Sequence, residues 1–141
     1  MAADPQTTSV APLPRLRQEN AATVLVIDDD GAMRMLFERY LTAFGYRPLL
    51  AADGADALRI AAVTPWIRLI ILDLVMPGVS GRALAEQLTA ALPDAALLFC
   101  SGHPVGALVR LGIDVKGAQF VQKPCRPTEL QQRLSAMLAA R

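Results

Sequence analysis

From Thr23 onward the chain alternates short apolar runs with longer stretches in which apolar residues recur every three or four positions. Thr23–Ile27 (TVLVI) is β-branched, too short for a helix and polar on neither face, the pattern of a strand buried inside a parallel sheet. Met33, Leu36, Phe37, Tyr40, Leu41 and Phe44 then follow at helical spacing, with Asp30 placed to cap the start and Gly45 to close the end. Arg47–Ala51 predicts a second strand, and Ala55, Leu58, Ala61 and Ala62 a small-faced helix that stops before Pro65. Ile67–Leu72 (IRLIIL), Ala95–Cys100 (AALLFC) and Gln119–Gln122 predict three more strands. Ala83, Leu84, Leu88, Ala91 and Leu92 mark a helix ending at Pro93, and Pro104–Leu111 predicts a short helix at most, before a glycine-containing stretch (LGIDVKGA). Leu130, Leu134, Met137 and Leu138 supply the face of a last helix, with Pro127 suited to its first position.

Strand and helix thus alternate five times over, which places the chain in the α/β class as a doubly wound (βα)5 unit. Its parallel five-stranded sheet is expected in the order 2-1-3-4-5, with right-handed crossovers and helices on both faces. Residues 1–21 differ: Pro5, Pro12 and Pro14, small polar residues, Arg15 and Arg17 predict a flexible arm ahead of a single domain at 22–141. Trp66, Met33 and Met35 are expected in the core or on a helix surface.

Composition sharpens this picture by exclusion. With 141 residues, 53% of them hydrophobic and 19% charged, at a mean hydropathy of +0.34, the chain is too apolar for disorder and too charged for a membrane bundle. Its 14 basic and 13 acidic residues leave a net charge of +1, so no direct nucleic-acid partner is expected. No run reaches the ~20 apolar residues of a bilayer span, and residues 1–23 have neither part of a secretory signal. A cytoplasmic setting without membrane insertion is expected. Cys100 and Cys125 form no disulfide framework, and a single histidine, His103, excludes a multi-histidine metal site.

The chemistry lies in the residues just past the end of each strand. The first strand runs into Asp28-Asp29-Asp30, the third into Asp73, the fourth into Ser101 and the fifth into Lys123-Pro124. In an open α/β sheet, ligands bind beyond the carboxyl ends of the strands where the strand order reverses, so Asp28, Asp29 and Asp73 are expected to converge. Converging carboxylates repel, and a hard divalent cation such as Mg²⁺ relieves the repulsion. Lys123 adds a compact positive charge and Ser101 a hydroxyl donor. Carboxylate, metal, ammonium and hydroxyl together suit phosphoryl transfer, in which a carboxylate can itself accept the phosphoryl group as an acyl phosphate.

These segments resemble the receiver domain of two-component response regulators, over about residues 22–141. VLVIDDD (24–30) is similar to the family's acidic segment, and LDLVMPGVSG (72–81) to its phosphoacceptor segment, with Met76-Pro77-Gly78 and Gly81 as the loop. FCSG (99–102) matches its hydroxyl position, FVQKP (120–124) its aromatic switch and lysine, and AADGADAL (51–58) its second strand and helix. The resemblance implies a flavodoxin-like fold and a phosphorelay role. Asp73 would be the phosphoacceptor, and Asp28, Asp29, Asp73 and the Val75 backbone carbonyl would bind Mg²⁺. Lys123 would contact the phosphate, Ser101 would move to hydrogen-bond it, and Phe120 would rotate inward behind it. It also implies a sensor histidine kinase or phosphotransfer protein as donor and a downstream protein as target. On this reading the domain is not an enzyme beyond assisting its own phosphorylation and dephosphorylation.

Two other readings stay open: a phosphohydrolase using Asp73 as nucleophile, and a scaffold that works without phosphorylation. The first usually needs an acid two residues past the nucleophile, where this chain has Val75; intact Asp73 and Lys123 oppose the second. Val75 has no polar group to handle water, so slow loss of the phosphoryl group is expected. Gly102–Ala118 departs from the family pattern, predicting a short or irregular fourth helix of the kind found in hybrid-kinase receivers. Cys125 replaces an aromatic residue, and Cys100 and Cys125, after adjacent strands, are expected as small unpaired hydrophobes. His103 is expected as an exposed loop residue. With Arg141 just past the last helix, no effector is expected within the chain, which would act alone or as a module of a larger protein.

Overall fold

The structure, a computed structural model, describes residues 21–110 and 119–140. The arm expected at 1–21 lies almost wholly outside the described residues, as does the LGIDVKGA segment. Strands β1 (Thr23–Ile27), β2 (Arg47–Ala51) and β3 (Ile67–Asp73) and helices α1 (Gly31–Phe44) and α2 (Gly54–Val63) form the first half. A hairpin of β4 (Val75–Met76) and β5 (Val79–Ser80) leads into α3 (Gly81–Ala91), β6 (Ala96–Ser101), α4 (Val105–Arg110), β7 (Gln119–Gln122) and α5 (Pro127–Ala139). The main sheet has five strands in the order β2-β1-β3-β6-β7, all pairs parallel, as the expected 2-1-3-4-5 order requires.

Alternation along the central strands divides the core between the two faces of the sheet. Val24 and Val26 of β1 and Leu69 and Ile71 of β3 pack with Phe37 and Leu41 of α1 and Leu130, Leu134 and Met137 of α5. Leu25, Ile27, Ile70 and Leu72 point the other way, onto Ala57 and Ala61 of α2 and Leu84, Ala85 and Leu88 of α3. Because both faces are covered, β1 is buried along its whole length, which is why its sequence shows no polar alternation.

Helix ends follow the sequence signals. The Asp30 carboxylate accepts the backbone N–H groups of Ala32 and Met33 at the start of α1, and Gly45 ends that helix at φ 95°. Pro127 opens α5, and α4 has only six residues, as short as expected. Some expectations need correction. Ala55, Ala62, Ala83 and Ala91 are not buried, and the buried small residues of α2 and α3 are Gly54, Ala57, Ala61, Gly81 and Ala85. Alanines on several faces leave the phase of a helix open; in α3 Leu84 and Leu88 decide it. Trp66 stands in a turn and is more than half exposed, outside both the core and a helix surface, whereas Met35 does lie on the outer surface of α1.

The β4–β5 hairpin has no counterpart in the sequence periodicity. Pro77-Gly78 forms its two-residue turn, with Gly78 at φ 70°, the left-handed conformation that a type II turn demands after proline. Gly81 follows, where a Cβ would stand 2.6 Å from the Leu74 carbonyl oxygen, so only glycine lets α3 start so close to the end of β3.

Candidate functional site

Two neighbouring strands, β1 and β3, deliver the acids. Ile27 pairs with Leu72, so the next residues along, Asp28 and Asp73, stand side by side at the carboxyl ends of the two strands. Asp28 and Asp73 are the buried carboxylates among the described residues, whereas Asp29 is exposed. One oxygen from each of the three lies within 4.8 Å of the others, which is the convergence expected from the strand order. They line a cleft of about 270 Å³ together with Asp30, Val75, Gly102, His103 and Lys123.

Each buried carboxylate is anchored on both oxygens. Asp28 Oδ1 accepts the Asp30 backbone N–H at 3.0 Å and Asp73 Oδ1 that of Val75 at 3.2 Å. Lys123, leaving the sheet after β7, spans the remaining oxygens, with Nζ 2.8 Å from Asp28 Oδ2 and 3.3 Å from Asp73 Oδ2. Its own backbone N–H donates to Ser101 O at 2.7 Å, which fixes the start of the side chain against β6.

Burial raises the pKa of Asp73 above the ordinary carboxylate value; the Val75 N–H and the Lys123 charge oppose this, and the charge of Asp28 reinforces it. Burial works against the Lys123 ammonium, but the hydrogen bond to Asp28 and the charges of Asp73 and Asp28 outweigh it and hold its pKa above that of a free lysine. Three carboxylates against one ammonium leave an excess of negative charge in an all-oxygen donor set. That set fits a hard divalent cation such as Mg²⁺, which takes carboxylate and carbonyl oxygens and retains waters.

Ser101 ends β6 and is fully buried, but its hydroxyl is engaged by His103 rather than by a carboxylate. Phe120, on β7, is half-buried and stands outside the cleft, packed with Val75 and Phe99 against Leu74, the residue after Asp73. Val75 lines the cleft and brings no polar side chain to it.

Sequence reasoning missed two residues here. Arg34, one turn into α1, donates from Nη1 to the Asp28 carbonyl oxygen at 2.8 Å and braces the acidic turn. Its position six residues after Asp28, on the first turns of the helix, was the available signal. His103, though exposed as expected, belongs to the wall of the cleft; nothing in its spacing distinguished it from any loop histidine. A larger groove of about 620 Å³ lies away from this chemistry, between α3 and β6, and is lined chiefly by apolar residues such as Leu74, Ala85, Leu97 and Phe99. Among the described residues no helix is long and apolar enough to cross a membrane.

Known proteins resemble the chain in sequence and in fold. A sensor kinase, CckA of Brucella abortus (strain 2308), is 34% identical over 120 residues, covering 84% of this chain and 13% of the kinase. The probable transcriptional regulator ycf27 of Cyanophora paradoxa is 29% identical over 119 residues, covering 84% of this chain and 49% of the regulator. The chain therefore spans half or less of these relatives. Among solved structures, the receiver domain of the hybrid histidine kinase CckA superposes with a TM-score of 0.70 at 33% identity, covering 83% of this chain and 99% of that domain. A CheY-like receiver protein from Methanospirillum hungatei JF-1 shares the fold at a TM-score of 0.71 and 21% identity, covering 85% of this chain and 95% of its own. The family model of the response regulator receiver domain matches residues 24–135, from β1 into α5 and across the whole acidic cleft, and the chain belongs to that family of two-component signalling domains.

Proposed function

We propose that the domain takes a phosphoryl group from a phosphohistidine onto Asp73 and passes the signal on through a change in its packing. The observation that carries this reading is the anchoring of Asp73: a buried carboxylate at a strand end, held by the Val75 N–H and the Lys123 ammonium. In the transfer an Asp73 oxygen attacks phosphorus, an O–P bond forms, and the N–P bond to the donor imidazole breaks with its electron pair leaving on nitrogen. Burial makes Asp73 a stronger base than a free aspartate, and Lys123 and the Val75 N–H favour its ionised, nucleophilic form.

Asp28, Asp29, Asp73 and the Val75 carbonyl would hold Mg²⁺, which when bound neutralises charge on the transferring oxygens. Lys123, within reach of Asp73, would pair with a phosphoryl oxygen once the carboxylate has become an acyl phosphate. Ser101 would turn its hydroxyl to the same group, and Phe120, packed on Leu74, would follow it inward. Such a switch is a population shift between two packings of β6 and β7.

The donor would be a sensor histidine kinase or phosphotransfer protein, as the similarity to CckA supports, and the target a protein rather than nucleic acid, acting in the cytoplasm. Val75 in the wall of the cleft supports a long-lived phosphoryl group. The test is incubation with Mg²⁺ and labelled acetyl phosphate. Labelling that approaches one group per chain, persists after donor removal and is lost in Asp73→Asn fits a receiver. Continuous release of phosphate fits a phosphohydrolase, and no labelling fits a scaffold.

A further inference from the structure

Ser101 is the residue of the site whose hydroxyl is already in use. It is fully buried, and Oγ accepts the His103 backbone N–H at 3.0 Å while lying 3.4 Å from His103 Nδ1. The backbone contact leaves the hydroxyl hydrogen free to be given to a second acceptor, and Nδ1 is the acceptor it meets when that ring nitrogen carries no proton. His103 in turn is exposed and belongs to the wall of the cleft, beside Gly102 and the carboxylates. A buried hydroxyl makes one donor bond at a time, so donation to Nδ1 and donation to an oxygen on Asp73 exclude each other.

We propose that His103 is a positioning residue that holds the Ser101 hydroxyl in the resting state and releases it to the phosphoryl group. This rests on the phosphoacceptor reading of Asp73. The ring competes with the ligand for one proton, so the chain binds a phosphoryl group less tightly than it would without the ring. At 3.4 Å the bond is long, so its worth lies at the low end for a neutral hydrogen bond, and its loss tightens binding roughly three-fold.

The experiment measures beryllofluoride affinity in the presence of Mg²⁺ by titration calorimetry for the full chain, His103→Ala, His103→Phe, Ser101→Ala and His103→Ala/Ser101→Ala. His103→Phe keeps the bulk beside the cleft but has no ring nitrogen. Both His103 variants are expected to bind roughly three-fold tighter than the native chain, and His103→Ala to change nothing when Ser101 is already alanine. A merely structural or steric role gives the same change in both backgrounds, or opposite changes for alanine and phenylalanine, and either result overturns the proposal. So does unchanged or weaker binding in His103→Ala. If the native chain itself binds no beryllofluoride, the phosphoacceptor reading fails first. A second readout needs no ligand: in the metal-free protein the His103 Nδ1 resonance should move in Ser101→Ala, and a stationary resonance overturns the latch alone.

Discussion

Replacing Lys123 by methionine keeps most of the side-chain volume and removes the only cation paired with the Asp28 and Asp73 carboxylates among the described residues. The three side chains are 14%, 2% and 7% exposed, so water compensates poorly for the loss. At an effective dielectric constant of about 20, unit charges 2.8 and 3.3 Å apart attract by about 5–6 kcal/mol each. Much of that is offset by the desolvation of an ammonium that methionine lacks, and by proton uptake on the stranded Asp73, whose pKa burial already raises. Breaking a buried pair on one side typically costs about 3–5 kcal/mol, and the solvent-connected cleft favours about 3 kcal/mol here. With a urea m-value of about 2 kcal/mol per molar, the midpoint in EDTA should fall by about 1.5 M. Saturating Mg²⁺ should close at least half of the gap between variant and native chain, because it supplies the missing positive charge. Burial already raises the Asp73 pKa and the variant removes the Lys123 charge that opposes this, so its stability should fall as pH rises through the folded pKa of Asp73. An unchanged midpoint in EDTA, or a gap insensitive to Mg²⁺, would refute the electrostatic account of the cleft.

Other consequences are as direct. Gly81→Ala drives a Cβ to 2.6 Å from the Leu74 carbonyl oxygen, and the backbone shift needed should cost about 1–3 kcal/mol by urea unfolding. The folded pKa of Asp73 lies above its unfolded value near 3.8, so the native fold favours the protonated form and loses that contribution as pH rises through the folded pKa. In EDTA, Asp73→Asn should therefore gain stability relative to the native chain between about pH 4 and neutrality, as paired unfolding curves would register. Burial pushes the Cys100 thiol up to about 12, and half-buried Cys125 is also raised, so a thiol reagent at neutral pH should modify the more accessible Cys125 first and Cys100 only on unfolding.

Legibility in the sequence followed the range of the interactions concerned. TVLVI and IRLIIL read correctly as strands because burial on both faces removes polar alternation, a property of the strand alone. Asp28, Asp29, Asp73 and Lys123 converge as expected because parallel strands place their carboxyl ends at one edge, which makes positions distant in the chain predictable neighbours. The Asp30 cap and the Gly45 stop are local and were equally plain. In α2 and α3 Ala61, Leu84 and Leu88 were placed correctly but Ala55, Ala62, Ala83 and Ala91 were not, because alanine fits a core and a surface alike. The β4–β5 hairpin is too short for periodicity to register, although Pro77-Gly78 carried its turn. That Ser101 is held by His103, and that Arg34 braces Asp28, depends on side-chain directions that no one-dimensional pattern encodes.

The central claim is that Asp73 accepts the phosphoryl group. Phosphorylation by acetyl phosphate with Mg²⁺, reduction of the acyl phosphate with borohydride and tandem mass spectrometry of the digest would place the modification at one residue. The account predicts homoserine at position 73, absent from the unphosphorylated control. Reduction at Asp28 or Asp29, or a phosphate surviving borohydride on Ser101 or His103, would contradict it.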